Sequence, residues 1–218
     1  MGSDEVGRGC LAGPVVCCSA LTQNISSTLS KLYSIGVKDS KKLTKAKRRN
    51  IVLSLDIDLN KIYKRKNFKV TDQNTFTVFN GKYGIRLSIA VISPRAIERI
   101  NILNASLLGM KLSGQNLLRY CLNEENTLWM FDGNKLPKIL FQKRKISTES
   151  LIKGDSRSIL IGLASIIAKE FRDKLMRDYS EDYSHYGLSS NMGYPTKVHR
   201  DAIKKYGPSK LHRNTFSL

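Results

Sequence analysis

Four acidic residues stand where ionised carboxylates are costly unless they are used. Asp4 and Glu5 fall where a first strand should end, Asp132 directly follows the apolar run Leu128-Trp129-Met130-Phe131, and Asp155 lies just ahead of a helix. In an α/β sheet, ligands gather beyond the carboxyl ends of strands, and a helix N-terminus favours negative charge, so such positions can converge in space. Crowded carboxylates repel unless they are protonated or neutralised, and hard oxygen donors are what magnesium or manganese prefers. Two such ions can activate a water and stabilise the leaving oxygen of an in-line phosphodiester displacement, without a catalytic histidine. Taken singly, each acid has a plainer use: Asp155 as a helix cap, Asp132 as the turn former of Asp132-Gly133-Asn134, Asp4 and Glu5 as terminal solvation. Spacing alone leaves both readings open.

The elements that must position these acids can be read from periodicity. A first strand is expected around Asp4 and a buried one over residues 14–21, where the run Pro14-Val15-Val16-Cys17-Cys18-Ser19-Ala20-Leu21 is almost wholly apolar. Thr44 should cap a basic amphipathic helix running through Lys47, Arg48 and Ile51 to about Leu55. Between Thr75 and Val91 two apolar stretches flank Asn80-Gly81, which predicts a hairpin turning at that dipeptide. A helical stripe then begins at Pro94 and passes through Ile102, Leu107 and Leu117. Ser158 to Met176 forms the clearest helix, and a last one from about Lys197 to Tyr206 is ended by Gly207-Pro208. Alternating strands and helices without repeat or linker predict one α/β domain over residues 1–218.

Composition narrows the partner. Lysine and arginine total 37 against 18 acidic residues, a formal charge of +19 that points to a polyanion, nucleic acid above all. Cys10, Cys17, Cys18 and Cys121 show no C-x-x-C spacing, and His185, His199 and His212 form no ligand motif, which argues against zinc and against a disulfide framework. Buried thiols suit a reducing cytoplasm. Neither a signal peptide nor a membrane-spanning run is expected.

The letters around the acids decide between the two readings. Gly2-Ser3-Asp4-Glu5-Val6-Gly7-Arg8-Gly9, continuing to Gly13-Pro14-Val15-Val16, resembles the N-terminal signature of the ribonuclease HII family. Further blocks follow in order: Asp39-Ser40-Lys41-Lys42-Leu43, Asn101-Ile102-Leu103-x-Ala105, Asp132-Gly133-Asn134, Lys153-Gly154-Asp155-Ser156, Ala164-Ser165-Ile166-Ile167-Ala168-Lys169, Gly193-Tyr194-Pro195-Thr196, and His212-Arg213 near Phe216. An ordered set of this kind is far more specific than any one short motif.

The resemblance implies a ribonuclease H-like fold, a mixed central sheet with helices on both sides and a helical C-terminal part. It implies an endonuclease that uses Mg2+ or Mn2+ held by Asp4, Glu5, Asp132 and Asp155. The substrates would be RNA–DNA hybrid duplexes and DNA containing embedded ribonucleotides, cut to leave a 5′-phosphate. Gly7-Arg8-Gly9 would bring backbone groups to the ribose 2′-hydroxyl, the group that separates RNA from DNA. Tyr194 matches the tyrosine that packs on the following deoxyribose. Ser40, Lys41 and Lys42 would contact phosphates, which position a duplex without specifying it. By the resemblance Asp173 falls where the family often carries another acid near the metals, but a surface helix charge serves equally well, and it is left outside the acidic quartet. A monomer is expected, and a sliding-clamp partner finds no support in the sequence.

Two features depart from the family pattern. Three residues precede Asp4, so the first strand is expected to be clipped. The stretch from about Ile57 to Gly84, with Lys61, Lys64, Arg65, Lys66 and Lys69 beside Tyr63 and Phe68, is read as an insertion that either extends the duplex surface or forms a solvated excursion. Ribonuclease HIII, which shares Gly-Ser-Asp-Glu-Val-Gly but typically lacks the arginine at Arg8, is the enzymatic rival. A nucleic-acid-binding protein without catalysis is the rival from another class.

Overall fold

The run Val15–Thr22 lacks the alternation of a half-exposed strand because both of its faces are covered. Val15, Cys17 and Leu21 enter one apolar cluster, and Val16, Cys18 and Ala20 enter a second on the other side of the sheet. The computed structural model describes residues 1–38, 40–60, 75–121, 127–139 and 146–216. Among these, β1 (Gly2–Val6), β2 (Val15–Thr22), β3 (Thr75–Asn80), β4 (Ile85–Ile92), β5 (Leu128–Asp132) and β6 (Ser147–Leu151) form one six-stranded sheet in the order β3-β4-β2-β1-β5-β6. The pairs β1–β2, β2–β4 and β3–β4 are antiparallel, and β1–β5 and β5–β6 are parallel.

Helices cover both faces. On one side Pro94–Ile100 and Ile102–Leu118 pack with Trp129 and Phe131, and Gly114 lets the second helix approach so closely that a Cβ there would stand 1.8 Å from Trp129 Cζ2. On the other side the long helix Ile159–Asp182 crosses β1 and β2, and Leu188–Asn191 and Lys197–Tyr206 follow as the helical C-terminal part. No helix among the described residues is long and apolar enough to cross a membrane.

Several expectations need correction. The stripe from Pro94 to Leu117 is two helices, because Asn101 adopts φ 62° and its side chain caps the second by accepting from the Asn104 amide at 3.0 Å. The hairpin does not turn at Asn80-Gly81: Asn80 still pairs with Arg86, and the reversal uses the positive φ of Tyr83 and Gly84. The helix expected to stop near Met176 continues to Asp182, and Asp155 sits in a separate one-turn helix, Gly154–Arg157, ahead of it. The helix Ile25–Ser34 and the edge strand β6 were not foreseen. Within the stretch read as an insertion, Thr75–Asn80 forms β3 at the edge of the sheet, while residues 61–74, with all five of its singled-out basic residues and both aromatics, lie outside the described set, as does Asp39.

Candidate active site

Parallel pairing of β1 and β5 aligns Gly2 with Met130 and Ser3 with Phe131, which carries Asp4 and Asp132 to the same edge of the sheet. Carboxylate oxygens of Asp4, Glu5 and Asp132 lie within 4.8 Å of one another. Asp155 is buried but is not part of that group; it is joined to it through its neighbour, since the Gly154 amide donates to Asp132 Oδ1 at 2.7 Å. The structure therefore brings three of the four expected acids together and sets the fourth one residue from the amide that holds Asp132.

The strand pairing is enforced from below by a one-way chain of buried hydroxyls. Trp129 Nε1 can only donate, and does so to Ser3 Oγ at 2.7 Å. Ser113 directs its proton to the Met110 carbonyl at 3.0 Å, so it accepts from Ser19 at 2.7 Å, and Ser19 in turn accepts from Ser3 at 2.6 Å. Each member of the chain is satisfied, and the chain ties β5, β1, β2 and the helix Ile102–Leu118 together directly behind Asp4.

The electrostatics of the trio are strained. Burial, then the charges of Glu5 and Asp132, hold Asp4 well above the usual carboxylate range. Burial also raises Glu5, to about 7, although Arg8 Nη1 pulls the other way from 3.2 Å. Glu5 Oε2 is buried with no hydrogen-bond partner among the described residues. Asp4 accepts from its neighbour's amide, Glu5 N, at 2.7 Å and from the Ser165 hydroxyl, and Ser165 pairs with Ser40 Oγ at 2.7 Å. When Asp4 is ionised, Ser165 directs its proton to it and accepts from Ser40, so Ser40 is buried support for the charged acid. Lys42 is exposed near this edge, and the Lys41 side chain lies outside the described set.

Arg8 and Gly9 are exposed in the turn after β1, whereas Gly7 is buried at φ +94° against the Arg172 guanidinium. Tyr194 keeps 37% of its surface exposed, and Lys169 Nζ stands 5.8 Å from its ring centroid. Asp173 belongs to a buried ion network: Lys169 Nζ binds its Oδ1 at 2.7 Å, and Arg48 lies 3.8 Å from its Oδ2 while binding Glu170 at 2.8 Å. The sequence reading placed Ser165, Lys169 and Arg213 in family-like blocks without giving them a role, and it singled out nothing at Arg172. For Ser165 and Arg172 the signal was present, since both fall on the buried stripe of the helix Ile159–Asp182.

The family profile described as Ribonuclease HII matches residues 1–108 and 127–218. The chain belongs to the ribonuclease HII family. A ribonuclease HII of Borrelia duttonii (strain Ly) is 42% identical over 217 residues, covering 100% of this chain and 98% of the relative. One from Pelagibacter ubique (strain HTCC1062) is 39% identical, covering 99% of this chain and 94% of its own. Among solved structures, ribonuclease HII in a PCNA complex from Archaeoglobus fulgidus superposes with TM-score 0.64 at 20% identity, over 100% of this chain and 94% of that one. A Bst-RNase HIII in complex with Mn2+ gives TM-score 0.69 at 18% identity, over 99% of this chain and 66% of that one. The structural likenesses establish the ribonuclease H-like fold, and the family establishes an endoribonuclease. The matched residues include 57–85 and omit 109–126.

Proposed function

We propose that this ribonuclease HII cuts RNA–DNA hybrids, and DNA on the 5′ side of an embedded ribonucleotide, with Asp4, Glu5, Asp132 and Asp155 as the ligands of Mg2+ or Mn2+. The observation that carries the reading is the trio within 4.8 Å, in which Asp4 is buried and Glu5 and Asp132 are partly so, and whose Glu5 Oε2 has no hydrogen-bond partner among the described residues. Such a donor set fits a hard divalent cation: oxygen-only, anionic, and destabilised until positive charge arrives. Bound cations would supply an activated water and neutralisation of the leaving oxygen.

The chain's own residues have distinct tasks in this reading. Gly154 N orients Asp132, while Ser165, backed by Ser40, orients Asp4. Arg8 and Gly9 face outward to meet the sugar-phosphate backbone, and Tyr194 offers a ring face to the neighbouring deoxyribose. Lys42 and Lys41 contribute phosphate contacts, and the charge of +19 supplies general attraction to the duplex. We further propose that the enzyme acts as a monomer in a reducing cytoplasm, in keeping with four free cysteines.

The test is a DNA duplex with one ribonucleotide, incubated with the protein and Mg2+ or Mn2+. A single nick 5′ of the ribonucleotide, absent from the all-DNA duplex, supports the reading. Retention of the duplex without a nick would instead mark a binding protein.

A further inference from the structure

Arg172 and Arg213 are both fully buried, and among the described residues neither is ion-paired with a carboxylate. A guanidinium in that position is tolerable only if its donors are matched, and here they are matched by backbone carbonyls. Arg172 donates to Pro14 O at 2.9 Å, Ala12 O at 3.0 Å and Met192 O at 2.8 Å. Arg213 donates from Nη2 to Gly7 O at 2.7 Å, from Nη1 to Arg8 O at 3.0 Å, and to Gly13 O from Nε at 2.9 Å and Nη2 at 2.8 Å. The turn between β1 and β2 thus has its carbonyls drawn inward by two side chains from distant parts of the chain.

Peptide planarity fixes what happens on the other side. In a trans peptide the C=O of one residue and the N–H of the next point in opposite directions. With Gly7 O and Arg8 O turned in toward Arg213, the Arg8 and Gly9 amides turn out. Both residues are exposed, and among the described residues neither amide has an acceptor. Gly9 adds an independent observation: its φ lies outside the left-handed region, and a Cβ built there meets nothing within 4 Å. Folding places no demand for glycine at position 9, so the bare backbone serves something that approaches from outside.

We infer that Arg213 is a positioning residue for sugar selection: by gathering the Gly7 and Arg8 carbonyls, it presents the Arg8 and Gly9 amides as paired donors to a ribose 2′-hydroxyl oxygen. This rests on the reading of Gly7-Arg8-Gly9 as the substrate-facing turn. Arg172 packs against Gly7 and holds the far end of the same turn and the Met192 carbonyl, but donates a hydrogen bond to neither of the two peptides concerned.

Binding is measured by fluorescence anisotropy in an Asp132→Asn background, using a duplex with one ribonucleotide and its all-DNA counterpart. Arg213→Lys, which keeps the charge but cannot fork across two carbonyls, should lower the ribo-to-deoxy affinity ratio by about tenfold, as expected for lost hydrogen bonds, with all-DNA binding changed less than about twofold. Equal weakening of both duplexes, or an unchanged ratio, overturns the inference. Arg172→Lys should lower the melting temperature and leave the ratio in place; a comparable loss of ratio there overturns the assignment to Arg213. Amide exchange on the Asp132→Asn protein needs no change at Arg213: Arg8 and Gly9 should be protected by the ribonucleotide duplex and not by the all-DNA one, and identical protection overturns the proposal. Should the parent protein show no ribo preference, the reading of the turn fails with it; a parent that discriminates beside an Arg213→Lys that discriminates equally fails the inference alone.

Discussion

His199 and His212 meet Nε2 to Nε2 at 3.1 Å, both rings buried. The Ser209 backbone amide donates to His212 Nδ1 at 2.9 Å, so His212 carries its proton on Nε2 and donates it to His199. His199 is then protonated on Nδ1 and donates to the Tyr194 carbonyl at 2.9 Å. The relay exists only when both rings are neutral, and it fastens the segment after the last helix to the peptide of Tyr194.

This arrangement predicts a pH dependence of defined sign. Burial, and then the facing His199, lower His212 to about 4, and burial lowers His199 as well. A base whose folded value lies below its unfolded value of about 6.5 adds stability above that pH, lost as pH falls toward the folded value. Urea unfolding of the cation-free protein should show stability declining between about pH 6.5 and 4, by on the order of 3 kcal/mol from His212. His212→Gln should flatten that part of the profile; an identical slope in the variant would contradict the relay.

The acidic trio predicts the opposite sign. A carboxyl whose folded value is raised, as Glu5 is to about 7, stabilises the fold fully only below its unfolded value, and that contribution is lost as pH rises through 7. Asp132→Asn removes one charge while keeping an oxygen for the Gly154 amide. At pH 8 without cations the variant should be more stable than the parent by about 1 kcal/mol, and Mn2+ should raise the melting temperature of the parent alone. Cleavage of the ribonucleotide duplex should fall to background with binding retained. A fully active Asp132→Asn protein would remove that carboxylate from the proposed site.

How far the fold was legible depended on whether a residue's partners were local. Thr44 capping Lys45–Ser54 through the Lys47 amide, and Gly207 ending Lys197–Tyr206, are short-range matters and were read correctly. The run Val15–Thr22 was legible because a strand buried on both faces must be continuously apolar. Ser147-Thr148-Glu149-Ser150-Leu151 has no such pattern: it is an edge strand held by parallel pairing to β5, a partner residues away in sequence. Ile25–Ser34 is half serine and threonine with weak helix preference, and docks only Thr28 and Leu32 inside. The acids were legible as element ends, but the arginines behind the turn were not. Arg172 falls on a buried helix stripe and Arg213 in a family-like block, but what they hold could not be read, because their partners are carbonyls assembled by the whole fold.

Gly7 and Gly9 should respond oppositely to the same substitution. At Gly7, with φ +94°, a Cβ would lie 2.3 Å from Arg172 Nε, so Gly7→Ala combines backbone strain with a clash against a buried guanidinium and should cost about 2 kcal/mol or more. Gly9→Ala has open space and should match or exceed parental stability, by up to roughly 1 kcal/mol. Its effect belongs to binding: the methyl group covers the outward amides, so KM for the ribonucleotide duplex should rise while the melting temperature holds. Thermal melts with steady-state cleavage separate the two, and a destabilised Gly9→Ala protein with normal KM would reverse the assignment.

The chain from Trp129 through Ser3, Ser19 and Ser113 to the Met110 carbonyl runs in one direction only, which makes its middle the weakest place to cut. Ser19→Ala removes the acceptor of the Ser3 proton and the donor to Ser113, leaving buried hydroxyls unmatched at a cost of about 1–3 kcal/mol. Ser3 then has one remaining partner, the Trp129 indole, and the strand that carries Asp4 loses a tie to β2. Trp129 is the protein's single tryptophan, so its emission reports this site without ambiguity. Ser19→Ala should lower the urea midpoint, shift the Trp129 emission and weaken Mn2+ binding, because Asp4 and Asp132 are held in register by the strands this chain joins. Ser113→Ala, which leaves the Trp129–Ser3–Ser19 bonds standing, should perturb the emission less; equal effects from both variants would show that the chain does not act as a directed unit.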